Sequence, residues 1–395
     1  MVADRAGGAR TRVHATVFRR RPTIFHLIFA TPCLLVIVRW LWPLALPFWA
    51  KGGIAVLLLV ASQYHFWSRL SSGSVFAPEF PRTVVILFNW AFGAIVLLAV
   101  FQILLDLGTL ATMLVRSRSV HVPDGMRFAI AGLAALLAAI GVGNAVRVPP
   151  INDIEVAIRD LPPEFAGYRI LQLTDLHISR LFPERWARQT VDRANASGVD
   201  LIVVTGDFID GSVAMRSHDV EPLRGLRAPD GVYAIPGNHE YFFDYAAWMR
   251  HLAGLGIRML PNAHAVLTRG DARLVLAGVT DLSAPGVGQA GPDLSAALAG
   301  SPDDVPVILL DHQPKDARRA AARGIALQLS GHTHGGMIAG LDKLVAPANG
   351  GFVSGRYEVA DMTLYVSNGT ALWPGFALRL GRPSELTRIT LRPAP

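Results

Sequence analysis

The chain of 395 residues is short of cysteine and of charge. A single cysteine, Cys33, rules out an intrachain disulfide and leaves the redox compartment open. It also excludes a metal site built on several thiolates. Charged residues make up only 17% of the chain against 51% hydrophobic ones, too apolar for an average soluble enzyme. Acids are scarcest in the first 150 positions, where Asp4, Glu79, Asp106 and Asp124 face fourteen Lys and Arg, a balance of +10. The remainder balances at −3, so the high pI belongs to the apolar half. Nucleic-acid binding needs a basic patch on a folded domain, so no nucleic-acid partner is expected. The excess of arginine suits anionic lipid headgroups instead. Internal repeats and low-complexity segments are also missing.

What is present divides at Pro149-Pro150. Residues 1–21 are polar, with Arg5, Arg10, Arg12, Arg19, Arg20 and Arg21. Apolar runs follow over 24–42, 52–67, 84–105 and 128–146. The third and fourth approach or exceed the roughly 20 residues that cross a bilayer. Trp40, Trp42, Trp49, Tyr64 and Trp67 gather at run ends, as interfacial aromatic belts do. The expectation is an all-α transmembrane region of about four helices over 22–150; a buried bundle in a soluble protein is the alternative. Arginines before the first run place the N-terminus in the cytoplasm, and four spans return the following domain there. Arg116, Arg118 and Arg127 in the third loop argue the other way. Arg20-Arg21 hints at a twin-arginine export signal, which the following residues fit poorly.

From 151 to 395 the pattern becomes α/β. Buried strands are expected over 168–174, 201–205, 231–235, 305–310 and 326–330, with further strands over 362–367 and 386–391. Helices are expected over 183–197, 244–255 and 315–323. Directly after the first five strands stand Asp175 and His177, Asp207 and Asp210, Asn238 and His239, His312, and His332 and His334. Any one of these has an ordinary reading, as a cap, a turn residue or a loop histidine. Together they occupy the strand ends where α/β sheets bind ligands. Carboxylate, imidazole and amide oxygen suit Mn, Fe or Zn, with Mg less favoured. So many ligands exceed what one ion needs, and a two-metal site with a bridging carboxylate accounts for them. Glu240 reads as a surface or supporting acid.

In that order, Asp175-x-His177, Gly206-Asp207-x-x-Asp210, Gly237-Asn238-His239-Glu240, His312 and Gly331-His332-x-His334 resemble the signature of the calcineurin-like metallophosphoesterase superfamily. The likeness covers roughly 168–391, and His332–Gly336 with Gly381–Leu386 resemble its bacterial membrane-associated branch. The resemblance implies a β-sandwich core flanked by helices. It implies one divalent ion held by Asp175, His177, Asp207 and His334, and a second held by Asp207, Asn238, His312 and His332. His239 would face the phosphate as general acid, oriented by Asp210. The implied reaction is hydrolysis of a phosphodiester or pyrophosphate by in-line attack of metal-bound hydroxide, at the bacterial inner membrane. A phospholipid or nucleotide-linked lipid would be the substrate. Gly211 stands where protein phosphatases of this superfamily carry arginine, and Asp210 where purple phosphatases carry an iron-binding tyrosine. Both departures disfavour those activities. Residues 346–355 differ from the arginine- and proline-rich segment expected there. The alternative is a transporter or sensor with a regulatory phosphoesterase domain, motivated by Asn89, Gln102 and Asp106 in or near the apolar runs.

Overall fold

A computed structural model describes residues 22–394, so the basic tail over 1–21 lies outside the described residues. Five helices come first: α1 (Pro22–Leu35), α2 (Phe48–Ser62), α3 (Tyr64–Ser72), α4 (Arg82–Arg116) and α5 (Asp124–Ala145). Pro47, Pro81 and Pro123 stand at the N-caps of α2, α4 and α5. Proline has no N–H to lose there, and its fixed φ suits a helix start. α1 carries Pro32 and widens into a π-helical turn over Val36–Leu41.

Of the four runs, α4 and α5 form helices long and apolar enough to cross a membrane, while Phe29–Leu41 and Phe48–Ser62 are shorter. The run over 52–67 is not one helix, because Gln63 separates α2 from α3. α4 outruns its expected end and reaches Arg116. Cys33 is fully buried among Val36, Phe92 and Leu98 in the helical core. The polar residues that suggested a pathway are engaged. Asp106 accepts from Arg39 and from Gln102. Asn89 donates to the Pro374 carbonyl and accepts from the Ala377 N–H.

The C-terminal part begins with β1 (Ile151–Ile158), β2 (Arg169–Leu173), β3 (Leu201–Thr205), β4 (Val232–Ile235) and β5 (Arg258–Met259). β6 (Ala263–Arg269), β7 (Ala272–Gly278), β8 (Val307–Leu310), β9 (Leu327–Ser330), β10 (Gly355–Val359), β11 (Met362–Val366) and β12 (Leu386–Pro393) complete it. They form two six-stranded sheets, ordered β1-β12-β2-β3-β4-β5 and β10-β11-β9-β8-β7-β6. β2 to β5 run parallel, as do β7, β8, β9 and β11; β1 and β12 pair in parallel but oppose β2.

Strand alternation decides what faces what. Ile170, Val203 and Ile235 point between the sheets, against Leu276, Leu310 and Leu329. Leu171, Leu173, Ile202 and Val204 point outward. There they meet Trp186 and Val191 of α6 (Glu184–Asn195) and Trp248 and Leu252 of a later helix (Tyr245–Gly254). The outer face of the second sheet buries Val275, Leu309 and Leu364 under Ala297, Ala317 and Ala320. The result is a two-sheet core flanked by helices.

Five strands were not read from the sequence: β1, β5, β6, β7 and β10. β1 is an edge strand carrying Asp153 and Glu155, and such charges dilute a hydrophobic signal while guarding the edge. β5 has only two residues.

The two halves share a core. Leu378 fills the space left by Gly93 and Gly141, and a Cβ on Gly141 would lie 2.6 Å from its Cδ1. The Arg379 N–H donates to the Gly141 carbonyl at 3.0 Å.

Candidate metal centre

β2, β3 and β4 end together in one sheet, and β8 and β9 end beside them in the other. Each exit turns sharply. Asp175 (φ 53°), His177 (42°), Asp207 (54°), His332 (68°) and His334 (50°) all lie in the left-handed region. Non-glycine residues adopt it rarely, at a cost of order 1–3 kcal/mol each, and such residues cluster at functional sites. The histidines take the strained conformation themselves. Gly331 and Gly237 serve by being small. A Cβ on Gly331 would stand 2.2 Å from Thr174 Oγ1 and 2.3 Å from Asp175 Oδ2, and one on Gly237 2.2 Å from Asp207 Oδ1.

All nine sequence-derived residues meet at this edge. The ligand atoms of Asp175, His177 and His334 lie within 4.8 Å of one another, and so do those of Asp207, His312 and His332. A third group of the same tightness joins His177, Asp210 and His239.

The second cluster shows what it is built to hold. His312 Nδ1 lies 2.7 Å from the Thr205 carbonyl, which can only accept, so Nδ1 carries the proton. Its Nε2 lone pair then faces Asp207 Oδ2 at 3.3 Å and Asn238 Oδ1 at 3.1 Å. His332 Nδ1 reaches the same Asn238 oxygen at 2.8 Å. Acceptor atoms converge here around a space that calls for a cation. Burial lowers the His312 pKa, but the Asp207 carboxylate outweighs it and holds the ring well above its usual value. Burial, then the neighbouring His312, pushes His332 down to about 4, which leaves the ring neutral.

In the first cluster, Asp210 Oδ2 lies 3.1 Å from His177 Nδ1 and fixes the proton there. His177 Nε2 faces His334 Nε2 at 3.3 Å, and Asp175 Oδ1 lies 3.6 Å from His334 Nε2. Burial, then His177, holds His334 well below the ordinary histidine range. Asp207 Oδ2 lies 3.8 Å from His177 Nε2 as well as 3.3 Å from His312 Nε2, a position between both clusters. Burial raises its carboxyl, but His312 and His239 outweigh that and keep it well below the usual range.

His239 belongs to neither of these two clusters and joins only the third. Its Nδ1 lies 2.5 Å from Asp210 Oδ1, and its Nε2 is 3.9 Å from Asp207 Oδ2. Burial alone would lower its pKa; Asp207 and Asp210 raise it to about 9.

Of the supporting residues, the sequence offered Glu240 as a surface or supporting acid, while Arg379 and Thr174 escaped it because each acts singly. Glu240 is a fully buried acceptor for the N–H groups of Asp207, Phe208 and Gly237. Arg379 is buried and donates to the carbonyls of His334, Asn368 and Ala371. Thr174 Oγ1 donates to Asp175 Oδ2 at 2.8 Å. The departing segment over 346–355 also touches the site's frame, since the Thr333 hydroxyl donates to the Val353 carbonyl at 2.6 Å.

The calcineurin-like phosphoesterase family model matches residues 168–336. A transmembrane protein with metallophosphoesterase domain from Danio rerio is 32% identical over 358 residues, covering 86% of this chain and 77% of that one. A metallophosphoesterase from Bacillus subtilis, named as uncharacterised, is 31% identical over 279 residues, covering 68% of this chain and 95% of that one. Among solved structures, the Haemophilus influenzae NAD nucleotidase aligns at a TM-score of 0.36 and 14% identity, over 52% of this chain and 46% of that one. The strand-end residues agree with the family model and with the Danio rerio relative: the chain belongs to the calcineurin-like phosphoesterase family and is a metal-dependent phosphoric ester hydrolase.

Proposed function

We propose a membrane-anchored, two-metal phosphohydrolase that cleaves a phosphodiester or pyrophosphate carried by a lipid. The observation that carries this reading is the convergence of His312 Nε2, Asp207 Oδ2 and Asn238 Oδ1 beside the Asp175–His177–His334 cluster. Asp175, His177, Asp207 and His334 would hold one ion, and Asp207, Asn238, His312 and His332 the other, with Asp207 shared. Mn, Fe and Zn suit this donor set. Divalent ions supply charge neutralisation and Lewis acidity toward the phosphoryl oxygens.

His239 supplies the proton. Its Nδ1 is tied to Asp210, so its Nε2–H is left to serve the departing oxygen as water attacks in line. Asp210 fixes this tautomer and, through its other oxygen, that of His177.

Anchoring rests on α4 and α5 and on their exposed apolar residues, among them Leu104, Leu107, Leu110, Leu133 and Leu136. Topology supports a cytoplasmic domain. Phe29 of α1 packs on His65 near the domain, while Trp40 bonds the Arg127 carbonyl at the opposite end. The chain therefore enters α1 from the domain end. Among the described residues the far end carries Arg39, Lys51, Arg116, Arg118 and Arg127 against Arg69, Arg82 and Arg147 at the domain end; the cytoplasmic reading rests on the six arginines that precede the first apolar run in the sequence.

Full-length protein in detergent should hydrolyse bis(p-nitrophenyl) phosphate with Mn²⁺. Absence of turnover across Mn, Fe, Zn, Co and Mg rejects the reading.

A further inference from the structure

A cavity of about 700 Å³ lies where the helical part meets the domain, beside His239. That is within the range of small-molecule sites, about 300–1,000 Å³. Its walls come from both halves: Arg69 and Phe76 from the helical part, Tyr241, Phe242 and Tyr245 from the domain. Phe76 meets the His239 ring edge-on at 5.3 Å and stacks on Phe242 at 5.1 Å. Phe242 itself lies 5.2 Å from His239. The aromatic wall thus continues into the residue that faces the phosphate.

The segment carrying Phe76 is held from both sides. Ser68 Oγ donates to the carbonyls of Ser74 and Val75. Glu79, three residues beyond, pairs with Arg180 and with buried Arg216 of the domain. Arg216 Nε in turn donates to the Asp210 carbonyl at 3.0 Å.

Position says what the cavity meets. α3 lies at the domain end of the apolar helices, where Tyr64 bonds the Pro374 carbonyl. Its Tyr64, His65 and Ser68 are buried, while Phe66 and Leu70, four apart on the other face, are 38% and 64% exposed. That division suits a helix lying in a membrane interface. Arg69 beside the cavity has no ion-pair or side-chain hydrogen-bond partner among the described residues, so it is available to an anionic headgroup. The other charged wall residue, Asp244, is engaged in capping the following helix through the Ala247 N–H.

We propose that this cavity is the subsite for the apolar group of a lipid phosphoester, with Phe76 its specificity-determining residue. The proposal rests on the hydrolase reading above and gives the N-terminal helices a part in substrate choice beyond anchoring.

The test uses full-length protein in nanodiscs with Mn²⁺ and a series of p-nitrophenyl alkyl phosphates, ethyl to octyl, kept monomeric. Burial of methylenes predicts that kcat/KM rises roughly tenfold or more along the series. Phe76→Ala, which removes a wall, and Val287→Trp, which fills the space from another lining position, should both flatten that slope. The slope is read within each variant, so a general loss of activity or membrane partitioning does not imitate the effect. A flat wild-type series, an unchanged slope in either variant, or faster turnover of the p-nitrophenyl ester of thymidine 5′-phosphate than of the octyl ester overturns the proposal. No turnover even of the ethyl ester instead removes the hydrolase reading beneath it.

Discussion

Asp210 holds two imidazoles at once: Oδ1 lies 2.5 Å from His239 Nδ1, and Oδ2 lies 3.1 Å from His177 Nδ1. One buried carboxylate therefore orients both His177 and His239, the proposed metal ligand and the proposed proton donor. Burial raises its pKa, but His239 and His177 outweigh this and hold it below the ordinary carboxylate range.

Asp210→Asn should lower kcat by about 10²–10⁴, the usual worth of a positioned acid. It should also shift the pH profile. In the metal-free chain His239 is raised to about 9, so it stays protonated through neutral pH and loses its proton as pH rises through that value. Bound cations bring this value down, so the wild-type alkaline limb belongs at or below pH 9. Removing the Asp210 charge moves the limb to still lower pH. A pH–rate series on both proteins measures it, and an unmoved limb contradicts the role.

His332→Ala and His334→Ala should each lose a different ion, because the two rings belong to separate clusters. Metal analysis should find about one equivalent in each purified variant. Mn²⁺ spectra should differ between the two. Identical residual sites in both would refute the division.

Gly331→Ala should act on the site rather than on the fold. The added methyl would stand 2.3 Å from Asp175 Oδ2, displacing that carboxylate. The expected outcome is weaker metal retention, by an order of about ten- to a hundredfold as for disturbed metal environments. Titration with Mn²⁺ checks it.

Glu240→Ala should destabilise the domain. Three buried N–H groups lose their acceptor, each at roughly 1–3 kcal/mol before relaxation. Thermal unfolding should show a clear drop in Tm, smaller for Glu240→Gln, which keeps one acceptor oxygen. Equal stability of wild type and Glu240→Ala would contradict the hydrogen-bond account.

The strand-end chemistry was legible because buried parallel strands leave a strong apolar signal, and the residues directly after them have nowhere to go but the sheet edge. β2, β3, β4, β8 and β9 were each read from such runs, and all nine site residues with them. The edge strand β1 and the hairpin of β6 and β7 were not, because alternating and charged residues weaken the signal. The left-handed conformations of Asp175, His177 and Asp207 were also hidden, since nothing local in an Asp or His demands them. Phe76 beside His239 joins segments 163 positions apart, and no local pattern records that meeting. The helical character of the four apolar runs was legible, but not the break at Gln63 in the second, and length separated α4 and α5 from the shorter helices.

The proposed mechanism turns on Asp207 being shared between two ions. The most direct measurement is the metal content of purified full-length protein, paired with its turnover of bis(p-nitrophenyl) phosphate, for wild type and Asp207→Asn. A shared Asp207 predicts about two equivalents and turnover in the wild type, and loss of both ions and of turnover in the variant. A wild type that binds at most one ion while remaining fully active, or a variant that keeps both, would contradict it.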